Sequence, residues 1–375
     1  MGSSSDNAVL VAKPGAEPNP EFYGGRERIH RHTGPQADWA ALERKIRANP
    51  DERLGLSHAE LYEFARQVRK DAVLMTNSAN SGHTGGPFSM ADYMAPLLCN
   101  YLRLRPHEPY WEDRDRFIVS NGHTSAGIYS LLCRRGYFSP GYLLTFRSTP
   151  SRLQGHPNHI KLPGIEIGTG SLGQGLSVAH GMALAQNLDG AAHRRTVCNV
   201  GDGEMQEGQI WEAIHHAGHR GTDNLIMAVD YNDIQIDGYV REVKRLDPLD
   251  DKLRAFHWAV RVVDGHDMQA ICDAWEWAWQ RKGQPTALVF NTVMMHGVPE
   301  YEYLFKWHGQ SCTDEQALNC LKALGFEYDS VAAAKAEYGP AVYDGVVPKV
   351  LAAPWARVLH MDTLEITEGD HNQGH

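Results

Sequence analysis

Five short apolar runs punctuate the chain, at residues 117–119, 196–200, 225–230, 258–263 and 286–293. Between them apolar residues fall at helical spacing, at 125–134, 175–187, 206–216 and 268–281. Short runs without polar alternation read as strands covered on both faces, and strands separated by helices of this size pair in parallel. The expected fold class is α/β: a parallel sheet with helices on both faces. In such folds ligands bind outside the carboxyl ends of the strands, so the loops after the strands are where chemistry is sought.

Order is expected to begin near Ser57, where Ser57-His58-Ala59-Glu60 forms a capping box and Leu61, Phe64, Ala65, Val68, Ala72 and Met75 follow at helical spacing. Residues 1–55 read as a partly irregular extension, broken by Pro14, Pro18, Pro20 and Gly24-Gly25 and carrying the basic cluster Arg26, Arg28, His30, Arg31, His32. Residues 56–325 form the expected main domain, and 326–375 a helical segment and tail. Of 375 residues, 42% are hydrophobic, and no apolar run reaches the ~18 residues of a membrane span, so no membrane partner is expected. The start, Met1 to Asp6, has no apolar signal region, and Asp6 spoils a myristoylation pattern. The six cysteines are scattered without a C-x-x-C pair, which suits a reducing cytoplasm. A net charge of −10 argues against nucleic acid as the main partner.

The most informative loop follows the run 196–200: Gly201-Asp202-Gly203-Glu204-Met205-Gln206-Glu207-Gly208. The next run ends in Asp230-Tyr231-Asn232-Asp233-Ile234. Between Gly203 and Asn232 there is room for one helix and one strand, so the two loops should be neighbours. An Asp carboxylate and an Asn amide oxygen are hard ligands that suit Mg²⁺, which shares its shell with phosphate oxygens. The glycines allow close backbone approach, and the helix start offers N–H groups to an anion. The chemistry implied is a metal-bridged diphosphate.

Gly201-Asp202-Gly203 with Asn232 resembles the thiamine diphosphate motif, and the surrounding residues are similar to the transketolase family. Ser81-Gly82-His83-Thr84-Gly85-Gly86-Pro87, Arg114 to His123, Gly155-His156-Pro157, Gly170-Ser171-Leu172-Gly173-Gln174-Gly175, Val263 to Asp267 and Trp307-His308-Gly309 all match. The resemblance runs from about Ser57 to Leu324 and covers only the family's first, diphosphate-binding domain. It implies the N-terminal subunit of a split transketolase. Its partner would be a second chain carrying the pyrimidine-binding and C-terminal domains, with two copies of each chain assembled.

Carried over, the resemblance makes Asp202, Asn232 and the main-chain oxygen of Ile234 the ligands of Mg²⁺, or of Ca²⁺ or Mn²⁺. Backbone N–H groups of Gly203 and Glu204, with His123 and His308, would face the diphosphate. Leu172 and Gly173 would contact the aminopyrimidine. His83, His123, His156 and His308 would ring the thiazolium carbon, His83 and His156 on the substrate side. Arg147 would lie near the acceptor sugar or sugar phosphate, and Glu207 and Glu212 at the contact between two copies. The implied reaction moves a two-carbon ketol unit from a ketose to an aldehyde. Thiamine diphosphate supplies the hard chemistry, and histidines, with a reference pKa of about 6.5, suit proton transfer on sugar hydroxyls.

Blander readings stand beside these. His215 and His219 lie at i, i+4 without a third ligand and read as helix-surface residues. Gly168 to Gly173 fits G-x-G-x-x-G, but no good strand precedes it and no acid ends the next one. Tyr301, Tyr303, Phe305 and Trp307 alternate like a strand face and read as packing. Residues 291–299 depart from the family's Lys- and Gly-rich stretch, which leaves the substrate open. Another thiamine diphosphate enzyme, by acyl transfer or decarboxylation, and a non-catalytic subunit retaining the fold are the alternatives.

Overall fold

The computed structural model describes residues 34–347, together with a two-stranded ladder of Leu359–His360 with Glu365–Ile366. The basic cluster of the N-terminal extension lies outside the described residues, as does most of the tail.

Five strands build the main sheet: β1 (Arg116–Val119), β2 (Thr196–Gly201), β3 (Leu225–Tyr231), β6 (Ala259–Asp264) and β7 (Thr286–Asn291). Their order is β1-β2-β3-β7-β6 and every pairing is parallel. Between β3 and β6 a small antiparallel hairpin joins β4 (Ile234–Gln235) to β5 (Gly238–Tyr239). The parallel sheet is therefore as expected, though β7 ends at Asn291 rather than 293. Residues 292 and 293 instead turn to bond neighbouring segments: Thr292 donates to Asp230 of β3, and the Val293 N–H donates to His266 in the loop after β6.

The helices are α1 (Trp39–Ala48), α2 (His58–Ala79), α3 (Gly85–Pro96), α4 (Ser125–Arg135), α5 (Gly175–Leu188), α6 (Gly208–Arg220), α7 (Val240–Val243), α8 (Leu249–Ala255), α9 (Met268–Gln280), α10 (Asp314–Ala323) and α11 (Val331–Ala336). The capping box at Ser57 and Glu60 starts α2 as the sequence predicts. Order begins earlier than predicted, however. The Asp38 carboxylate caps α1 at the Ala40 and Ala41 N–H groups, and Leu42 and Ile46, four residues apart, bury one face. α6 also starts two residues later than expected, because Glu204–Gln206 first makes a tight 3₁₀ turn.

Two apolar layers sandwich the sheet. One holds Phe64, Val68 and Met75 of α2, Phe88 and Tyr93 of α3, Trp275 of α9 and Phe290 of β7. Tyr93 stacks on Phe290 at 4.3 Å, and the Trp275 indole donates to the Tyr93 carbonyl. The other layer packs α5, α6 and α8 against β2, β3 and β7, with Leu176, Ile210, Ile214, Leu253 and Trp258 fully or almost fully buried. Each such side chain contributes about 1.5–3 kcal/mol. Both layers leave the carboxyl ends of the strands open for loops. Residues 326–347 fold back onto the domain: Tyr338 donates to the buried Asp71 at 2.5 Å, and Lys70 pairs with Glu337 at 2.8 Å. The aromatic run 301–307 is not a strand. It is a turn followed by a 3₁₀ turn (Phe305–Trp307), and Tyr301 packs on Trp307 at 4.4 Å.

Candidate active site

β2 and β3 end side by side, with the Asp202 N–H donating to the Asp230 carbonyl. Asp202 is buried, and its carboxylate accepts from the N–H groups of Gly203 (2.7 Å) and Asp233 (2.6 Å). The Gly203 N–H thus points to Asp202 rather than outward. Asn232 is also buried, and its Oδ1 accepts from the Ile234 N–H at 3.0 Å. The predicted ligand set of Asp202, Asn232 and Ile234 is therefore brought together where the loops after β2 and β3 meet. Burial pushes the Asp202 carboxyl well above its ordinary range, and the neighbouring Asp230 charge adds to that. The hydrogen-bond donors to Asp202 are backbone N–H groups rather than a Lys or Arg side chain. A divalent cation would offset this desolvated negative charge, and the donors are the hard oxygens it prefers, so the residues fit the ion.

Three histidines converge beside this meeting point from three separate loops. His83 follows α2, whose C-cap Asn80 adopts the left-handed conformation (φ 45°), and precedes α3. His123 sits in the 3₁₀ turn Gly122–Thr124 after β1, and His308 caps the turn Phe305–Trp307. Ring centroids are 5.0 Å apart for His83–His123 and for His123–His308, and 5.8 Å for His83–His308. The Thr84 N–H and hydroxyl both donate to the Gln310 carbonyl, which ties the first loop to the third. The Ile234 main chain lies next to His308 and so places the triangle beside the loop of Asn232. Among the described residues, Nδ1 of His83 and of His308 is buried with no hydrogen-bond partner. Orphaned polar atoms converging on one space call for a polar occupant.

Burial depresses all of these imidazoles. His83 is brought down to about 4, helped by the charges of His308, Arg147 and His156. His308 also falls to about 4, with the nearby Ile234 backbone partly opposing burial. His123 lies well below its ordinary value, and His156 is lowered by burial and by Arg147. The ring is therefore neutral at physiological pH, and each neutral imidazole can both give and accept a proton.

His156 stands apart from the triangle and is exposed, its ring lying against Gly170, where a Cβ would come within 2.7 Å. Arg147 holds a left-handed backbone (φ 60°) and donates to Ser81 Oγ at 2.8 Å, beside the His83 loop. Leu172 is 40% exposed next to buried Gly173. Glu207 and Glu212 are exposed at the start of α6. His215 and His219 are exposed on α6, as the sequence predicts, and residues 168–173 form a loop with no strand before them.

Sequence reasoning missed several residues. Asp230 is buried and accepts from Ser89 Oγ, Thr292 Oγ1 and Asn232 Nδ2. Its signal was present as an acid two residues before Asn232 in a buried strand. Ile236, 59% exposed in the hairpin, reaches to Gly309 beside His83. Asp92, His266 and His296 bring potential ligand atoms within 4.8 Å of one another. Yet Asp92 takes both ends of the Arg69 guanidinium fork (2.9 and 2.7 Å). His266 spends one nitrogen on Asp92 and the other on the Val293 N–H. A metal ion there would meet the Arg69 charge, so the cluster is a buried polar strut. It also accounts for the altered 291–299 stretch, since His296 stacks on His266 at 3.6 Å.

A model of the transketolase thiamine diphosphate-binding domain matches residues 58–365. The chain belongs to the transketolase family. The match runs on beyond Leu324, through the tail that the motifs leave outside. The 6-deoxy-6-sulfo-D-fructose transketolase subunit SqwG of Clostridium sp. is 39% identical over 68% of this chain and 93% of its own length. An apulose-4-phosphate transketolase subunit from Actinobacillus succinogenes is 37% identical over 68% and 91%. The crystal structure of transketolase from Campylobacter jejuni superposes with a TM-score of 0.68 and 35% identity, covering 75% of this chain and 46% of that one. The chain thus spans nearly all of the subunit-type relatives but less than half of the full-length transketolases it matches. It corresponds to the family's thiamine diphosphate-binding domain, a parallel sheet with helices on both faces. No helix among the described residues is long and apolar enough to cross a membrane.

Proposed function

We propose that this chain is the N-terminal subunit of a thiamine diphosphate- and Mg²⁺-dependent transketolase that moves a two-carbon ketol unit from a ketose to an aldehyde acceptor. The observation that carries the reading is the convergence of His83, His123 and His308 beside the paired loops that hold Asp202, Asn232 and Ile234. The bound cofactor would supply the nucleophilic carbon that carries the two-carbon unit. Asp202, Asn232 and the Ile234 carbonyl would hold the Mg²⁺, with Ca²⁺ or Mn²⁺ as substitutes. His123, His308 and the Glu204 N–H would face the diphosphate, the Gly203 N–H being held by the Asp202 carboxylate, and Leu172 and Gly173 would face the aminopyrimidine.

His83 and His156 would hydrogen-bond the sugar and transfer protons on its hydroxyl and carbonyl oxygens. A neutral imidazole suits that task, because it takes a proton at one nitrogen while the other stays a donor. Arg147 would orient the acceptor, a sugar or sugar phosphate. The partner chain would bring the pyrimidine-binding and C-terminal domains. The exposed Glu207 and Glu212 suit a contact between two copies of this chain, and so an assembly with two copies of each polypeptide. Unpaired cysteines support a reducing cytoplasm as its place.

The test is an assay of the purified chain with thiamine diphosphate, Mg²⁺, a ketose and an aldehyde, before and after adding a candidate partner chain. Ketol transfer is expected only after the partner is added. Robust transfer by the chain alone would refute the split-enzyme reading.

A further inference from the structure

Glu204 follows the Gly201-Asp202-Gly203 turn, but its side chain does not join the Asp202 and Asn232 groups. It is buried, at 2% exposure, and runs back into the fold. One carboxylate oxygen accepts from the Gly173 N–H at 2.9 Å and from the Ser120 hydroxyl. The other accepts from the Gly201 N–H at 3.1 Å. Ser120 Oγ in turn accepts from the Gly175 N–H at 3.0 Å. One carboxylate thus joins three separate segments: the strand end leading to His123, the strand end carrying Asp202, and the loop 170–175.

The tie is built to close tolerance. A Cβ on Gly175 would come within 2.4 Å of Ser120 Oγ. One on Gly173, whose φ is +91°, would come within 2.9 Å of the Glu207 Cβ. One on Gly122, next to His123, would come within 2.5 Å of Thr169. His156 lies against Gly170 at the other end of the same loop. The loop has no strand or helix of its own before α5, so its backbone N–H groups at 173 and 175 depend on Glu204 and Ser120 for acceptors.

We propose that Glu204, acting through Ser120, is a positioning residue that locks the loop 170–175 to the Asp202 turn, so that the ring-binding and diphosphate-binding halves of the cleft keep a fixed spacing. This rests on the reading of the cleft as a thiamine diphosphate site. Such a cofactor is rigid at its rings and anchored at its diphosphate, so the protein groups that meet the two ends must share one frame. The Glu204 carboxylate is turned away from both ends and sets the distance between the groups that meet them. A carboxylate suits the position because it only accepts, and here it meets three donors.

The test is Glu204→Gln in the full chain. The amide keeps the volume but offers one acceptor oxygen and one NH₂ group. Either Gly173 or Gly201 must then face a donor. Hydrogen exchange read by mass spectrometry should show the peptide 168–176 exchanging roughly tenfold or more faster, as expected for loss of a bond to a charged acceptor. Peptides from β3 and β7 should be unchanged. Glu204→Ala, which removes every acceptor, should accelerate the same peptide further. In the enzyme assembled with its partner, Glu204→Gln should raise the KM for thiamine diphosphate more than it lowers kcat.

Unchanged exchange in 168–176 in Glu204→Ala, which has no acceptor to reorient, would overturn the tie, and equal acceleration in all peptides would reduce Glu204 to a general stability role. A loosened loop with an unaltered cofactor KM would overturn the positioning role. If the assembled wild type binds no thiamine diphosphate, the functional reading falls and the positioning role with it. That outcome is told apart from failure of the tie, which exchange reads in the chain alone.

Discussion

The Asp230 carboxylate accepts a hydrogen bond from the side-chain nitrogen of Asn232 at 3.1 Å, and so decides which end of that amide faces the Asp202 turn. Ser89 and Thr292 donate to the same carboxylate, at 2.5 and 2.6 Å, and hold it still. An amide can flip, and only its oxygen can ligate a cation. Asp230 removes the choice. Groups that orient a metal ligand typically matter by about 10–100-fold in metal affinity. Asp230→Asn should therefore weaken Mn²⁺ binding in the presence of thiamine diphosphate by at least ~10-fold, measured by electron paramagnetic resonance titration. The double exchange Asp230→Asn with Asn232→Asp restores one donor facing one acceptor and keeps the net charge. It should recover much of the affinity. Equal weakness in the single and double variants would show that the orientation is irrelevant.

Much of this arrangement was legible in the sequence, for identifiable reasons. Asp202 and Asn232 end neighbouring strands, and the helix-strand spacing between them allows little else. The histidine loops are short and fixed by glycines such as Gly82 (φ 127°), so local motif and three-dimensional position agree. What escaped was long-range polar satisfaction. That Glu204 turns inward to Gly173, 31 residues away, depends on the packing of α5 against β2, which no local pattern encodes. The α1 helix was hidden by the prolines before it, although Asp38, Leu42 and Ile46 carry a normal cap and stripe. The alternation at 301–307 marks packing, as read, but not a strand, because two-residue periodicity also arises in irregular turns where aromatic side chains pack inward.

Removing the Asp202 carboxylate takes away an oxygen ligand; the cost of stripping two N–H groups of their acceptor is offset by the relief of a carboxylate that burial disfavours. Asp202→Ala should melt within a few degrees of the wild type when no ligand is added. The difference should show on adding Mg²⁺ and thiamine diphosphate. A ligand at 100 times its Kd stabilises by about 2.7 kcal/mol, so the wild type should gain several degrees and the variant none. A full thermal shift in Asp202→Ala would remove Asp202 from the ligand set.

His83 and His156 are both lowered by burial and then by the charge of Arg147, whereas His308 sits next to the Ile234 main chain. His83→Ala and His156→Ala should accordingly keep cofactor affinity in the assembled enzyme and lose kcat. The loss expected of a missing general acid–base group is ~10²–10⁴-fold. His156 is exposed, with its ring against Gly170, so its replacement should leave the melting temperature unmoved. Wild-type turnover in either variant would leave that residue a structural part only.

The depressed histidines also set a pH dependence of stability whose sign can be worked out. His83 and His308 fall from an ordinary 6.5 to about 4 through burial. His180, buried in the other layer and bonded to Thr222, falls to about 4 as well. Between pH 6.5 and 4 the unfolded chain binds protons at these positions and the folded chain does not. Stability rises with pH wherever the unfolded state binds more protons, so it must fall as the pH drops from 6.5 towards 4. Above 6.5 both states are neutral at these sites and the contribution is level. The melting temperature of the full chain should therefore decline through this window. In the double variant His83→Asn with His308→Asn, two of the depressed imidazoles are gone while His123, His156 and His180 stay, so the decline should be shallower, with the two curves parallel above pH 7. Buried carboxylates pull the other way: Asp202 and Asp230, held above their ordinary range by burial, would make folding easier as the pH falls. Comparing the variant with the wild type cancels that background and isolates the histidines. If the two chains show the same slope between pH 6.5 and 4, the histidine triangle is not buried as a neutral set in solution.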